Sequence, residues 1–280
     1  MRRMAIGLVV AVCGLAAPSL GAAQSVSASE REALVRLRVD RGGRPDEVDA
    51  LIRHANDAGA KGLPVAPITS KIREGLAKGA DPARIDAVVR QMAIHLETAD
   101  RVIRELQPAS GAAEREAPVT LLAEAIGGGV TSDEVGELRR QVQASGKPPV
   151  SSDGLASAAK GLSFIKEGRL PVAEGTAVMA EAVRQGFRSH EMLDLGREIK
   201  RRERDYREGR ANLLALRDAI ARGSRLDQLF RDSRSGVVER PAATRPEPTT
   251  TRPEPVTRPE RPQPPERLAR PEGTTGTRTR

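Results

Sequence analysis

The apolar residues of this chain recur at steps of three and four, which is the spacing of one face of an α-helix, and show no convincing strand-like alternation. The clearest stretch follows Asp81 and Pro82, a helix cap and a proline at the first helical position. One apolar stripe then continues through Ile85, Val88, Met92, Leu96, Ala99, Ile103 and Leu106. The sequence therefore predicts a helix from about Pro82 to Leu106 within an all-α protein.

A second pattern is a helical stretch, a glycine, a short turn with a helix cap, and another helical stretch. It occurs at Gly43, Gly79, Gly129, Gly186 and Gly223. Glycine suits the left-handed residue that ends many helices, and the cap restarts the chain at once. The fullest cap, Thr131-Ser132-Asp133-Glu134, has the pattern of a capping box. We therefore predict an irregular array of antiparallel helical hairpins.

Two parts of the chain resemble each other at an offset of 107 residues. Leu63-Pro64-Val65-Ala66 recurs as Leu170-Pro171-Val172-Ala173, and the apolar positions that follow keep the same register. Identical pairs at this offset include Thr69 and Thr176, Glu74 and Glu181, and Gly79 and Gly186. The register predicts two related three-helix units, near Pro45–Leu106 and Ser152–Glu208, joined through residues 107–150.

The first 23 residues have the pattern of a cleavable secretory signal. Arg2 and Arg3 precede an uncharged run from Met4 to Ala17, and small residues end the segment at Gly21-Ala22-Ala23. We predict cleavage after Ala23 and export to the periplasm or the extracellular medium. The alternative is a retained N-terminal anchor; after cleavage the protein is not expected to be an integral membrane protein.

The rest of the chain divides by composition. Residues 24–29 are expected to be disordered, 30–116 to form the first helical unit, and 117–232 the second. Ten of the 20 prolines lie between Pro241 and Pro271, among Thr-Arg-Pro-Glu repeats. Such a segment buries too little apolar surface to offset the entropy of folding, so residues 233–280 are predicted to be a disordered tail. The tail is interpreted either as a partnerless solubilising segment or as a tether or docking strip on an anionic envelope surface.

Charge and aromatic content argue against nucleic acid as a partner. Of eight net positive charges, Arg2 and Arg3 carry two and residues 235–280 carry three, which leaves three for residues 24–234. A phosphate-binding surface needs a concentrated basic patch. After cleavage only four aromatic residues remain, Phe164, Phe187, Tyr206 and Phe230, too few for base stacking or sugar platforms.

Catalytic and metal-binding motifs are scarce. The only cysteine, Cys13, lies in the signal, so no disulfide or thiolate metal site is expected. Gly127-Gly128-Gly129 precedes a capped helix but lacks the lysine of a phosphate loop, and is interpreted as a helix terminus. His54 and His190 are isolated in sequence, whereas His95 with Glu97 and Asp100 is a weak metal-site candidate. No cofactor is expected.

These observations favour a non-enzymatic scaffold or interaction module of the cell envelope, in which stacked helix pairs offer a groove to a protein partner. Two alternatives stay open. One is an enzyme whose carboxylates meet His95 or His190 in a cleft between the helical units. The other is a binder of anionic envelope polymers, which salt would release.

Overall fold

A computed structural model describes residues 24–144 and 150–230 of the chain, which belong to one compact unit. These residues form helices and no strands, as predicted. The helices are α1 Ala28–Val39, α2 Pro45–Ala60, α3 Ala66–Ala77, α4 Pro82–Leu106, α5 Ala112–Gly127, α6 Ser132–Gln143, α7 Ser152–Glu167, α8 Val172–Arg184, α9 Ser189–Arg201, α10 Glu203–Arg207, α11 Leu213–Ala221 and α12 Leu226–Leu229. The predicted signal and tail lie outside the described residues.

The local signals that predicted α4 and α6 are present as hydrogen bonds. The Asp81 side chain accepts a hydrogen bond from the Ala83 backbone N–H at 2.8 Å, and α4 has the predicted limits. At α6, Thr131 Oγ1 accepts from the Glu134 N–H, and the Glu134 carboxylate accepts from the Thr131 N–H. Both caps satisfy backbone donors that a helix start leaves without a partner.

The predicted turn glycines mostly take the left-handed conformation. Positive φ angles occur at Gly79, Gly129, Gly186 and Gly223, which confirms four of the five turns. At the fifth turn the left-handed residue is Gly42 and not its neighbour Gly43.

The internal similarity extends to the helix boundaries. α2 and α7 both have 16 residues and begin 107 residues apart, at Pro45 and Ser152; α4 and α9 begin at the same offset, at Pro82 and Ser189. In addition, α1 packs against α2 and α3 as α6 packs against α7 and α8. Each predicted unit is therefore preceded by one more helix, α1 or α6, which packs against it in the same way. We call α1–α4 the first repeat and α6–α9 the second repeat.

Helix α5 lies between the repeats and packs against both α4 and α7. The domain boundary expected between residues 116 and 117 falls inside this helix, and the predicted connection 107–150 contains both α5 and α6. The sequence does not reveal α5 because its apolar residues face two neighbours, so no single stripe stands out. Pro118 within the helix obscures the pattern further.

Residues 24–27 precede α1 as an extended segment with defined partners, which differs from the disorder expected for residues 24–29. The Val26 N–H donates to the Asn56 side chain at 3.0 Å, and the Gln24 side-chain oxygen accepts from the Val65 N–H. Ser27 caps α1, which starts at Ala28. The segment is ordered because its own backbone and side-chain groups bond to α2 and to the start of α3.

No helix in the described ranges 24–144 and 150–230 combines the length and the apolar character that crossing a membrane requires. The core is built from Leu, Ile, Val, Met and Ala side chains contributed by both repeats. In the second repeat, Gly161 of α7 faces Gly196 of α9. A Cβ atom added to Gly196 would lie only 2.6 Å from the Gly161 carbonyl oxygen.

Candidate binding groove beside α9

A surface depression lies between α9 and the chain segment that returns beside it. Met192, Leu195 and Ile199 face the core, so the charged residues of α9 lie on its outer side. After α11, residues Arg225, Leu226, Asp227 and Phe230 form the opposite wall. We call this cavity of about 770 Å³ the α9 groove. Its α9 wall consists of His190, Glu191, Asp194, Arg197, Glu198, Arg201 and Arg202.

A second, shallower depression adjoins the α9 groove. Phe164, Lys200 and Glu203 line it together with Arg197 and Arg201, which also line the α9 groove. The Arg197 guanidinium lies 5.5 Å from the centroid of the Phe164 ring. The two depressions therefore form one continuous surface around the outer side of α9.

Arg202 holds the two walls of the α9 groove together. Its Nη2 donates to the Phe230 carbonyl oxygen at 3.2 Å, and its guanidinium lies 4.8 Å from the centroid of the Phe230 ring. Its Nε donates to Glu198 at 2.8 Å. Because Arg202 is the C-cap of α9 and bonds to Phe230, the C-cap of α12, the groove depends on a contact between residues 28 apart in sequence.

The charges of the α9 groove are balanced. Four arginines and four carboxylates line it, and ion pairs join several of them. Arg197 pairs with Asp194 at 3.0 Å, whereas Glu198 pairs with both Arg201 and Arg202. A surface of this kind is poorly suited to concentrating phosphate groups, but it presents both signs of charge to a partner.

The carboxyl of Glu191 has a fixed role in this wall. Its pKa is lowered, first by a hydrogen bond from the Arg188 backbone N–H and also by the Arg188 side chain. The N–H to carboxylate distance is 2.7 Å. Because these partners favour the ionised form, Glu191 caps the start of α9 and is a poor proton donor at neutral pH.

The three histidines lie at different places in the fold. His54 Nε2 is 2.7 Å from Asp86 Oδ1 and joins α2 to α4. His95 Nε2 is 2.8 Å from Gln91 Nε2, and burial lowers the pKa of its ring. His190 lines the α9 groove. Each histidine therefore lies in its own surroundings, with a different set of neighbours.

The metal site considered for His95, Glu97 and Asp100 is not assembled. Glu97 pairs with Lys61 at 2.5 Å, and Asp100 accepts a hydrogen bond from Arg104 at 2.6 Å. Across residues 24–144 and 150–230, no group of three His, Cys, Asp or Glu side chains converges in a way that could hold a metal ion. Lys61 and Arg104 therefore already balance the charges of the two carboxylates.

The glycine run at residues 127–129 is a helix terminus, as interpreted from the sequence. Gly127 is the last residue of α5 and Gly128 its C-cap. The next helix start, α6, has its first donors engaged by the Thr131 and Glu134 capping box. The Thr131 and Glu134 N–H groups are therefore already bonded and are not available to an anion.

Sequence reasoning did not identify the α9 groove. The charged stretch at residues 200–208 has the mixed signs of a solvated helix surface, and Arg201, Arg204, Arg207 and Glu208 in it are exposed. The missing information was the return of residues 225–230 beside α9, for which no local pattern gives a signal.

Comparison of the chain with protein-family models, with curated proteins and with solved structures gives no match. No relative therefore supplies a ligand or a reaction for the α9 groove, and its own chemistry has to indicate a function.

Proposed function

We propose that the protein is an exported, non-enzymatic interaction module of the cell envelope and that its α9 groove binds an extended segment of a partner protein. One observation carries the proposal: the groove is balanced in charge and partly apolar through Leu226 and Phe230. Peptide segments with mixed charge and apolar side chains match such a surface.

The ion pairs inside the groove can be replaced by ion pairs with a bound protein segment. Arg201 is 73% exposed in its pair with Glu198, and Arg197 is 55% exposed in its pair with Asp194. Exposed pairs of this kind contribute little to stability. A partner can therefore replace one member of a pair, and each guanidinium still has donors to offer.

The same contacts give little support to acid–base catalysis. His190 is the single histidine among the residues that line the groove, and the neighbouring Glu191 is held by Arg188. A general acid and base pair needs environments that separate the pKa values of two groups within reach of one substrate. The balanced charge likewise gives little support to binding of an anionic polymer.

Export is part of the proposal and rests on the sequence of residues 1–23. N-terminal sequencing of the protein recovered from outside the cytoplasm should give Gln24 as the first residue. An intact Met1 on the exported protein would contradict cleavage and favour a retained anchor.

Site-specific photocrosslinking in producing cells tests the groove. A photoreactive residue at position 201 should give a discrete protein adduct, whereas one at Arg36, on the exposed side of α1, should not. Arg202→Ala removes the contact between the walls and should abolish the adduct. Arg204→Ala is the matched control, because Arg204 is highly exposed and pairs only with Glu208 among the contacts described.

Three outcomes would contradict the proposal. Equal adducts from positions 201 and 36 would show that the groove has no preference for a partner. An adduct at position 201 that persists in Arg202→Ala would show that the partner does not need the groove. Release of the partner by about 0.5 M salt, with no effect of Arg202→Ala, would favour the polymer-binding alternative.

A further inference from the structure

The outer side of α4 carries an uncharged surface in a chain that is otherwise rich in charge. We call the residues Ala87, Val88, Gln91, Ile94 and His95 the α4 face. Val88 is 47% exposed and Ile94 is 53% exposed, although both are large apolar residues. Gly127 of α5 lies beside His95 and has no side chain, so α5 does not cover the face at this point. The face is therefore open to contact by another chain.

The internal repeat shows what covers the equivalent surface elsewhere in the molecule. At the offset of 107 residues, the α4 face corresponds to Asp194, Leu195, Glu198, Arg201 and Arg202 of α9. These α9 residues face the returning segment at residues 225–230, apart from Leu195, which is fully buried. Val88, at the position equivalent to Leu195, is half exposed, and no described segment of the first repeat takes the place of the returning segment.

Two arginines mark the ends of the α4 face. Arg84 and Arg101 are both exposed, and no carboxylate among the described residues lies within ion-pair distance of either. They are 17 residues apart on one helix, which corresponds to about 25 Å. Glu105 lies one turn beyond Arg101, so the cationic character is stronger at the Arg84 end. Carboxylates of a bound partner would find donors at both ends.

We infer that the α4 face is a second docking surface, and that its occupant is an amphipathic helix of a partner protein with an apolar centre and acidic ends. A helix of four to five turns would span the distance between the two arginines. Its apolar side chains, spaced at three and four residues, would cover Val88 and Ile94. The surface lies on a different repeat from the α9 groove, so the inference goes beyond the proposed function.

Binding of two synthetic peptides to the full mature chain tests the inference. Both peptides are helical, about 18 residues long, and share one leucine-rich face; one ends in glutamates and the other in lysines. Fluorescence anisotropy should show that the acidic peptide binds at least about ten-fold more tightly than the basic one. The double variant Arg84→Glu and Arg101→Glu should reverse this preference.

Surface variants assign the binding to the α4 face. Ile94→Asp changes an exposed residue and should weaken binding of the acidic peptide by about ten-fold or more. Leu214→Asp, at another exposed apolar residue on α11, is the control and should leave binding unchanged. Arg202→Ala should also leave it unchanged, which separates this surface from the α9 groove.

Three results would overturn the inference. The first is equal affinity for the acidic and basic peptides. The second is binding of the acidic peptide that Ile94→Asp does not weaken. The third is a dimer of the full chain, measured by light scattering, that Ile94→Asp converts to a monomer, because the face would then be occupied by a second copy.

Discussion

In the first and second repeats, α2 and α7 begin at the same offset as α4 and α9, but the contacts between the helices differ. In the second repeat, Gly161 and Gly196 let the backbones of α7 and α9 approach closely. The equivalent positions of the first repeat are His54 and Val89, where the His54 side chain reaches Asp86 across α2 and α4. The comparison teaches that the turns of a repeat and the starts of two of its helices can persist while the residues at the closest helix contact change.

The surfaces of the two repeats also differ. α3 leaves Arg73 and Glu74 exposed, whereas α8 is covered by α11 and buries the equivalent Ala180 and Glu181. No described helix of the first repeat therefore covers α3 in the way that α11 covers α8. The helices after α9 both bury α8 and form the outer wall of the α9 groove, so the appended segment accounts for the groove.

The close glycine contact is the strongest difference and gives the largest expected effect. Gly196→Val introduces the residue that the first repeat has at Val89, but its Cβ would lie 2.6 Å from the Gly161 carbonyl oxygen. We expect a loss of about 3 kcal/mol in the free energy of unfolding, measured by urea denaturation. Gly136→Ala is the control, since its Cβ meets only an Arg140 side chain at 3.6 Å. An unchanged urea midpoint for Gly196→Val would show that the helices can separate without cost.

The equivalent acids Glu74 and Glu181 provide a matched pair. Glu181 is 7% exposed and accepts hydrogen bonds from Arg184 and Gln185. Glu181→Gln should therefore lower the free energy of unfolding by about 2 kcal/mol, because charged hydrogen bonds to a buried carboxylate are lost. Glu74→Gln should have a much smaller effect, since Glu74 pairs at the surface with Lys71 and Lys78. Equal losses in urea denaturation would contradict the difference in burial.

The turns that follow α2 and α7 have a different residue at the left-handed position. Gly62 has a φ of 74°, and the equivalent Arg169 has a φ of 54°. Gly62→Ala should cost about 1 kcal/mol, because a residue with a Cβ is strained in the left-handed region. Arg169→Ala should change the thermal midpoint little, since the strain is already present there. A loss of equal size at Arg169 would indicate that its side chain stabilises the turn.

The smallest effect concerns the acid dependence of the first repeat. Lys71 and Lys78 lower the pKa of Glu74 from 4.5 to about 2. A carboxyl with a lowered folded-state pKa contributes stability above its unfolded pKa and loses it as the pH falls. The difference in urea midpoint between the natural chain and Glu74→Gln should therefore shrink between pH 4.5 and pH 2. A constant difference across this range would show that the two lysines do not stabilise the ionised form.

The parts of the fold that the sequence predicts are those with local signals. α4 has a cap, a proline and a one-sided stripe, and α6 has a capping box, so both are evident without any tertiary information. α5 is missed because two neighbours cover it. The correspondence between α1 and α6 is missed because the two helices are offset by 104 residues and not by 107, so a fixed register does not align them.

The candidate site is less predictable than the fold. The groove depends on Arg202 reaching the Phe230 carbonyl, and a backbone acceptor leaves no trace in the sequence. The α4 face is hidden for a different reason. Val88 belongs to the apolar stripe that predicts α4, so the sequence places it in the core, whereas it lies half exposed.

Helix α5 has a consequence for how the molecule unfolds. Because it packs against both α4 and α7, neither repeat can separate from α5 without uncovering an apolar side of that helix. The duplicated halves are thereby coupled into one cooperative unit. A substitution that destabilises one repeat therefore lowers the free energy of unfolding of both. Urea should therefore unfold the two repeats in a single transition, and a chain that ends after α5 should aggregate because one apolar side of that helix has no cover.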